Sequence, residues 1–239
     1  MSPSDLPPLP PIDASAADEV PSSSLTPELL AGLLADGDDQ LAAWTLEHAL
    51  REGSRASVYD GLLADAMTLV GERWETGRWS VADEHLASQT LVRALDRVAP
   101  QLGPEGRIGP LAVLAGVAGE HHMLGLICLD QVLTEHGWTV ARLGADVPVA
   151  DLARFVAKNE ARLVALTASD PARLEALTES VAAVRDARVA SRLPVMLGGR
   201  LAGSRAVTSS IDLDWSGTTL SGAAAFADTV LAALPPEDA

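Results

Sequence analysis

The sequence predicts a helical bundle followed by a doubly wound, parallel α/β sheet of five strands, and three observations carry that prediction. Residues 26–98 place apolar side chains at helical spacing, with glycines at 37, 53 and 77 where helices should stop. A stretch rich in Pro and Gly follows, without periodicity. From Pro110 onward, short apolar runs alternate with helical ones, which is the grammar of a parallel sheet wound on both faces.

Taken in order, residues 1–25 are rich in Pro, Ser, Asp and Ala and should form a disordered tail. Thr26 before Pro27 marks a helix start, because proline suits the first helical position. Leu29, Leu30, Leu33 and Leu34 supply its apolar face. Leu41, Trp44, Leu46 and Leu50 mark a second helix, and Val58, Leu62, Leu63, Ala66, Leu69 and Val70 a third. Ser80, with Asp83 in the capping-box position, starts another that runs to about Arg97. The bundle is placed at 26–99 and a linker at 100–109.

The second half, residues 110–239, reads as strands at 110–117, 138–143, 162–167, 194–197 and, weakly, 213–216. Helices are expected at 123–135, 149–158, 171–189 and 222–234. Five such strands imply a flavodoxin-like order, in which ligands bind at the carboxyl ends of the strands. The loops after strands one, three and four are therefore where a site is sought.

Composition narrows the function classes. With 48% hydrophobic residues in a chain of 239, a sizeable core can be buried. No apolar run approaches the ~20 residues of a membrane span, and no basic segment followed by an apolar one opens the chain. The expectation is a cytoplasmic protein. Cys128 is the single cysteine, which excludes an internal disulfide, and its apolar neighbours predict a buried, inert thiol. A net charge of −16 argues against direct binding to nucleic acid, and no helix-turn-helix with a basic face is visible. Any regulation should pass through another protein.

Glu120-His121-His122 occupies the loop after the first strand. An imidazole at position 122 can ligate a transition metal, and Glu120 can fix its tautomer from the other ring nitrogen. Gly125 removes a side chain one turn into the following helix, so a flat macrocycle can approach the backbone. Taken alone, the same tripeptide reads as a polar loop with two solvated histidines, and His121 is assigned to the loop.

The segment Glu120-x-His122-x-x-Gly125 is nevertheless similar to the Asp/Glu-x-His-x-x-Gly signature of the cobalamin-binding domain family. Three further pieces recur in order. Gly144 to Pro148 resembles that family's turn after the second strand, Thr167-Ala168-Ser169 its hydroxyl-bearing end of the third, and Gly198-Gly199 its glycine pair after the fourth. Thr218 and Thr219 stand near the last contact expected, Thr219 being the residue assigned. The resemblance implies that His122 replaces the cofactor's own dimethylbenzimidazole as lower cobalt ligand. It also implies that Thr167, Ser169, Gly198, Gly199 and Thr219 line the buried nucleotide tail.

In the bundle, Trp74 is followed after nine residues by Glu84-His85. A Trp in a bundle is ordinarily core, and a Glu-His pair near a helix start is ordinarily solvated. The spacing also resembles the Trp-x9-Glu-His motif of cobalamin-binding photoreceptors of the adenosylcobalamin type. The resemblance implies that Trp74 packs over the upper axial group and that Glu84 and His85 contact the adenosyl moiety. That family commonly places a cobalt-binding histidine directly after the Trp, where this chain has Glu75. It also carries a DNA-binding domain, for which this sequence has only a short acidic tail. Trp79 fits either that pocket or bundle packing.

Two functions are compatible with these motifs. One is a light-responsive sensor that holds adenosylcobalamin between cap and base and signals to a protein partner or by self-association. The other is a corrinoid methyl carrier, the methylcobalamin-bearing subunit of a methyltransferase system. A third reading has the same fold and no cofactor. No acid–base pair or nucleophilic triad with a persuasive spacing is present, so autonomous catalysis is not expected.

Overall fold

A computed structural model describes residues 25–100, 109–187 and 192–235 of the chain. The expected tail and linker lie, apart from Leu25, Pro100 and Gly109, outside these residues. The cap comprises α1 (Pro27–Ala35), α2 (Asp39–Glu52), α3 (Arg55–Val58), α4 (Ala64–Glu75) and α5 (Val81–Arg97). Thr26 caps α1 through a hydrogen bond from the Leu29 amide, and Ser80 with Asp83 closes a full capping box on α5. Gly37 and Gly77, at φ 76° and 70°, end the helices before them in a conformation that favours glycine.

The expected third helix is not uniform. Between α3 and α4, residues Tyr59–Leu63 form a π turn, a feature that periodicity over eleven or more residues does not reveal.

The base alternates as expected, with one short additional helix, α9: β1 (Leu111–Val117), α6 (Leu124–Glu135), β2 (Thr139–Val147), α7 (Val149–Lys158), β3 (Leu163–Thr167), α8 (Leu174–Asp186), β4 (Val195–Gly198), α9 (Arg205–Thr208), β5 (Trp215–Ser216) and α10 (Leu220–Ala233). All strands are parallel, in the order β2-β1-β3-β4-β5. Two boundaries differ from expectation. β2 continues through Gly144 and Asp146, where the pairing with β1 shifts register, because Val147 still pairs with Val117. The expected helix at 171–189 opens with a 3-10 turn at Pro171–Arg173 before α8 begins.

Three apolar clusters order the layers. One lies between the sheet and α7–α8, built on Val113, Leu152, Val164 and Leu177. A second lies between the opposite sheet face and α6–α10, around Leu114, Leu133, Leu163 and Ala227. The third is the bundle core, and it includes Ile127, Cys128 and Val132 of α6 and Ala224 of α10. Cap and base therefore share apolar packing along α6 and the first turns of α10. No helix among the described residues is long and apolar enough to cross a membrane.

Candidate functional site

The site is built at the carboxyl ends of β1, β3 and β4. After β1, the chain turns through Gly119 (φ 78°) into Glu120, which is buried with 2% of its side chain exposed. Both backbone groups of Glu120 are engaged, its amide donating to Val117 O at 2.8 Å and its carbonyl accepting from Asp146 at 2.9 Å. Asp146 in turn accepts from the Gly119 amide at 2.6 Å, so the bulged end of β2 clamps the loop.

The Glu120 carboxylate is fully occupied. One oxygen accepts from the His122 amide at 2.8 Å and from His122 Nδ1 at 2.6 Å, and the other accepts from the Ser169 amide. Burial would raise this carboxyl, but the hydrogen bonds from His122 and Ser169 outweigh it and hold it below the usual carboxylate range. An ionised carboxylate can only accept, so the proton of the neutral ring sits on Nδ1. Nε2 keeps its lone pair and has no protein partner among the described residues. The side chain is 73% exposed, so this lone pair is open to an incoming ligand.

Beside His122 lies a cavity of about 290 Å³. Its floor is apolar, with Leu126, Leu129, Ala165 and Met196, and its rim carries the hydroxyls of Thr167, Ser169, Thr218 and Thr219. An apolar pocket with a few convergent polar groups is the usual form of a small-molecule site. A Cβ added at Gly125 would meet nothing within 4 Å, so the first turn of α6 presents bare backbone. Gly199 is different: at φ 82°, a Cβ there would lie 2.6 Å from the Ala168 carbonyl, so glycine alone lets β4 turn past the end of β3.

Of the residues singled out in the sequence, His122, Gly125, Thr167, Ser169, Gly198, Gly199 and Thr219 line this one cavity, with Glu120 directly behind His122. Trp74, Glu84 and His85 do not line it. Trp74 is 47% exposed near the end of α4, two helical turns beyond Met67, which does line the cavity. Glu84 bonds Ser88 at 2.9 Å and approaches His85 at 3.5 Å. Trp79 packs against the bundle core with Arg73 stacked 4.8 Å over its ring.

The cap supplies wall residues that sequence reasoning passed over, namely Tyr59, Asp60, Leu63 and Met67. The one available signal was a charge, Asp60, inside an otherwise apolar stretch from Val58 to Leu63. Cys128 is buried as expected and its thiol is pushed up to about 12 by burial, which removes it as a nucleophile.

The donor set suits a cobalt corrinoid. Among the described residues, no group of three or more His, Cys, Asp or Glu is placed to hold a bare metal ion. One oriented imidazole beside open backbone fits an ion whose equatorial positions a macrocycle fills.

Residues 110–215 match one B12 binding domain family, and residues 28–99 match a second family of the same description. The HTH-type transcriptional repressor CarA of Myxococcus xanthus is 36% identical over 141 residues, covering 59% of this chain and 46% of that protein. CarH of the same organism, also described as an HTH-type transcriptional repressor, is 36% identical over 146 residues, covering 61% and 48%. The chain thus spans about half the length of these curated relatives. The structure of the Methanosarcina barkeri monomethylamine corrinoid protein matches with a TM-score of 0.70 at 17% identity, covering 88% of this chain and all of that one. That likeness establishes the shared fold.

Proposed function

The chain belongs to the B12-binding domain family, and on that premise we propose that it is a light-responsive regulator holding adenosylcobalamin between cap and base. The observation that carries the proposal is His122, oriented by the buried Glu120 and keeping a free Nε2 at the mouth of a glycine-walled cavity. Bound adenosylcobalamin supplies a cobalt–carbon bond weak enough for green light to break.

The chain's own residues do the rest. His122 would hold the cobalt, and Glu120 would raise its basicity and fix its tautomer. Gly125 leaves room for the ring. Thr167, Ser169 and Thr219 would offer hydroxyls to the nucleotide tail, with Gly198 and Gly199 leaving space beside them. On the upper side, the Met67 face of α4 continues through Gly71, whose Cβ position is open, to Trp74. That stripe of one large, one absent and one aromatic side chain suits a lid over an axial group, with Glu84 and His85 from α5 completing it. A cap that shares apolar core with α6 and α10 would be able to slide against them, and the changed surface would be read by a protein partner or a second copy. The net charge of −16 disfavours phosphate backbones as the direct target.

A second reading, a corrinoid methyl carrier, is favoured by one residue. Glu75 stands directly after Trp74 and provides no imidazole to hold cobalt on the upper side. Illumination separates the two. With adenosylcobalamin bound in the dark, green light is expected to change both the absorption spectrum and the oligomeric state of the regulator. A carrier would show no such assembly change and would instead accept a methyl group on reduced cobalt.

A further inference from the structure

Among the described residues, two polar contacts of unequal strength tie cap to base, and we propose that the weaker of these two, Asp60 on the N-terminus of α10, is a releasable gate over the cavity. The inference rests on the reading of that cavity as the cobalamin site.

The stronger contact is buried. Arg55, 7% exposed, pairs with Glu135 of α6 at 2.8 Å and donates to Gln131 Oε1, the Val98 carbonyl and Tyr59 Oη at 3.1, 2.9 and 2.8 Å. Gln131 also receives the Tyr59 hydroxyl and donates to the Leu95 carbonyl at 2.7 Å. Opening this network would leave the buried Arg55 guanidinium short of partners, which costs more than releasing a half-exposed carboxylate, so it is the contact that stays closed.

Five residues further along the same helical segment, the Asp60 carboxylate accepts from the amides of Leu220 at 2.6 Å and Ser221 at 2.9 Å. These are the first two amides of α10, whose third amide, that of Gly222, is capped separately by Thr219. A carboxylate on a helix N-terminus is worth at most about thirtyfold in an equilibrium, so this contact can open while the Arg55 network holds.

Position makes it a gate. Asp60, Leu63 and Met67 form the cap side of the cavity wall, and Thr219, Leu220 and Ala223 face them from the base. The Asp60 contact therefore bridges the cap and base walls of the cavity. It sits in the π turn Tyr59–Leu63, a helix irregularity that recurs at functional sites. Pivoting about Arg55 would part Asp60 from α10 and widen the entrance without breaking the buried network.

Binding of adenosylcobalamin in the dark, followed by stopped flow, tests this with the full chain and the variants Asp60→Ala and Asp60→Asn. Association is expected to be about tenfold faster for Asp60→Ala, with Asp60→Asn intermediate. Hydrogen exchange at the Leu220 and Ser221 amides of the ligand-free protein should accelerate in parallel. Equal association rates in a folded variant overturn the gate, whether or not exchange changes. If Asp60→Ala does not fold, the isosteric Asp60→Asn is judged by the same rates. A wild-type protein that binds no adenosylcobalamin overturns the cavity assignment, whereas normal binding with unchanged rates overturns the gate alone.

Discussion

Glu120 grips His122 twice, through the backbone amide at 2.8 Å and the ring Nδ1 at 2.6 Å, while its second oxygen holds the Ser169 amide. One buried carboxylate thus couples the loop after β1 to the end of β3 and sets which histidine nitrogen is free. Glu120→Gln keeps the shape but sets an amide donor against donors. It is expected to cost about 1–3 kcal/mol of stability in denaturant unfolding. Cobalamin affinity, from dark equilibrium titration, should fall about 10–100-fold. Unchanged affinity in the folded variant would mean that another group orients His122.

The same carboxyl predicts a pH dependence. Its hydrogen bonds hold it below the ordinary value of 4.5 in the folded chain. As pH falls, the unfolded chain therefore takes up the proton first. The stabilisation is complete above 4.5 and is lost as pH falls through the lowered folded value. Thermal unfolding of wild type and Glu120→Gln across pH should show a constant gap near neutrality that narrows below 4.5. A gap that widens on acidification would contradict the assignment.

The two kinds of glycine in the site should fail differently. Gly125 has open space where a side chain would project, so Gly125→Leu is expected to fold with an unchanged or higher Tm and to lose cobalamin binding. Gly199→Ala meets the Ala168 carbonyl at a positive φ and is expected to lose about 1–3 kcal/mol of stability even without ligand. Differential scanning calorimetry beside a binding titration distinguishes them. Tight binding by Gly125→Leu would move the macrocycle off α6.

Arg55→Met tests how cap and base are held. It removes the pair with Glu135 and the donors to Gln131 and Val98 from a buried position. A loss of about 1.5–3 kcal/mol is expected, the scale of hydrogen bonds to a charged group. A smaller loss in denaturant unfolding would show that apolar packing of Ile127, Cys128 and Ala224 against the bundle suffices.

What was legible in the sequence was what local chemistry decides. The Thr26 cap, the Ser80–Asp83 box and helix α7 follow from residues within a few positions of one another, and the strand order from the alternation of five strands with helices. The cavity residues from His122 to Thr219 were singled out through the resemblance to cobalamin-binding motifs, and the doubly wound parallel sheet is what brings those strand ends together. The Arg55–Gln131 contact spans 76 positions and the Asp60–Ser221 contact 161, and no periodicity encodes such pairs. The π turn was hidden because one extra residue leaves an apolar stripe nearly intact. Trp74 and Glu84-His85 are recognisable as a motif, yet their side chains stand outside the cavity lining, so their part depends on what the bound ring adds.

The central claim is that His122 supplies the lower ligand of a bound corrinoid. The most direct measurement is electron paramagnetic resonance of protein grown with 15N-histidine and loaded with cob(II)alamin. Coordination by His122 predicts a doublet superhyperfine splitting from a spin-½ nitrogen, lost in His122→Ala. A triplet in the labelled wild-type protein, from the cofactor's own unlabelled benzimidazole nitrogen, would contradict it.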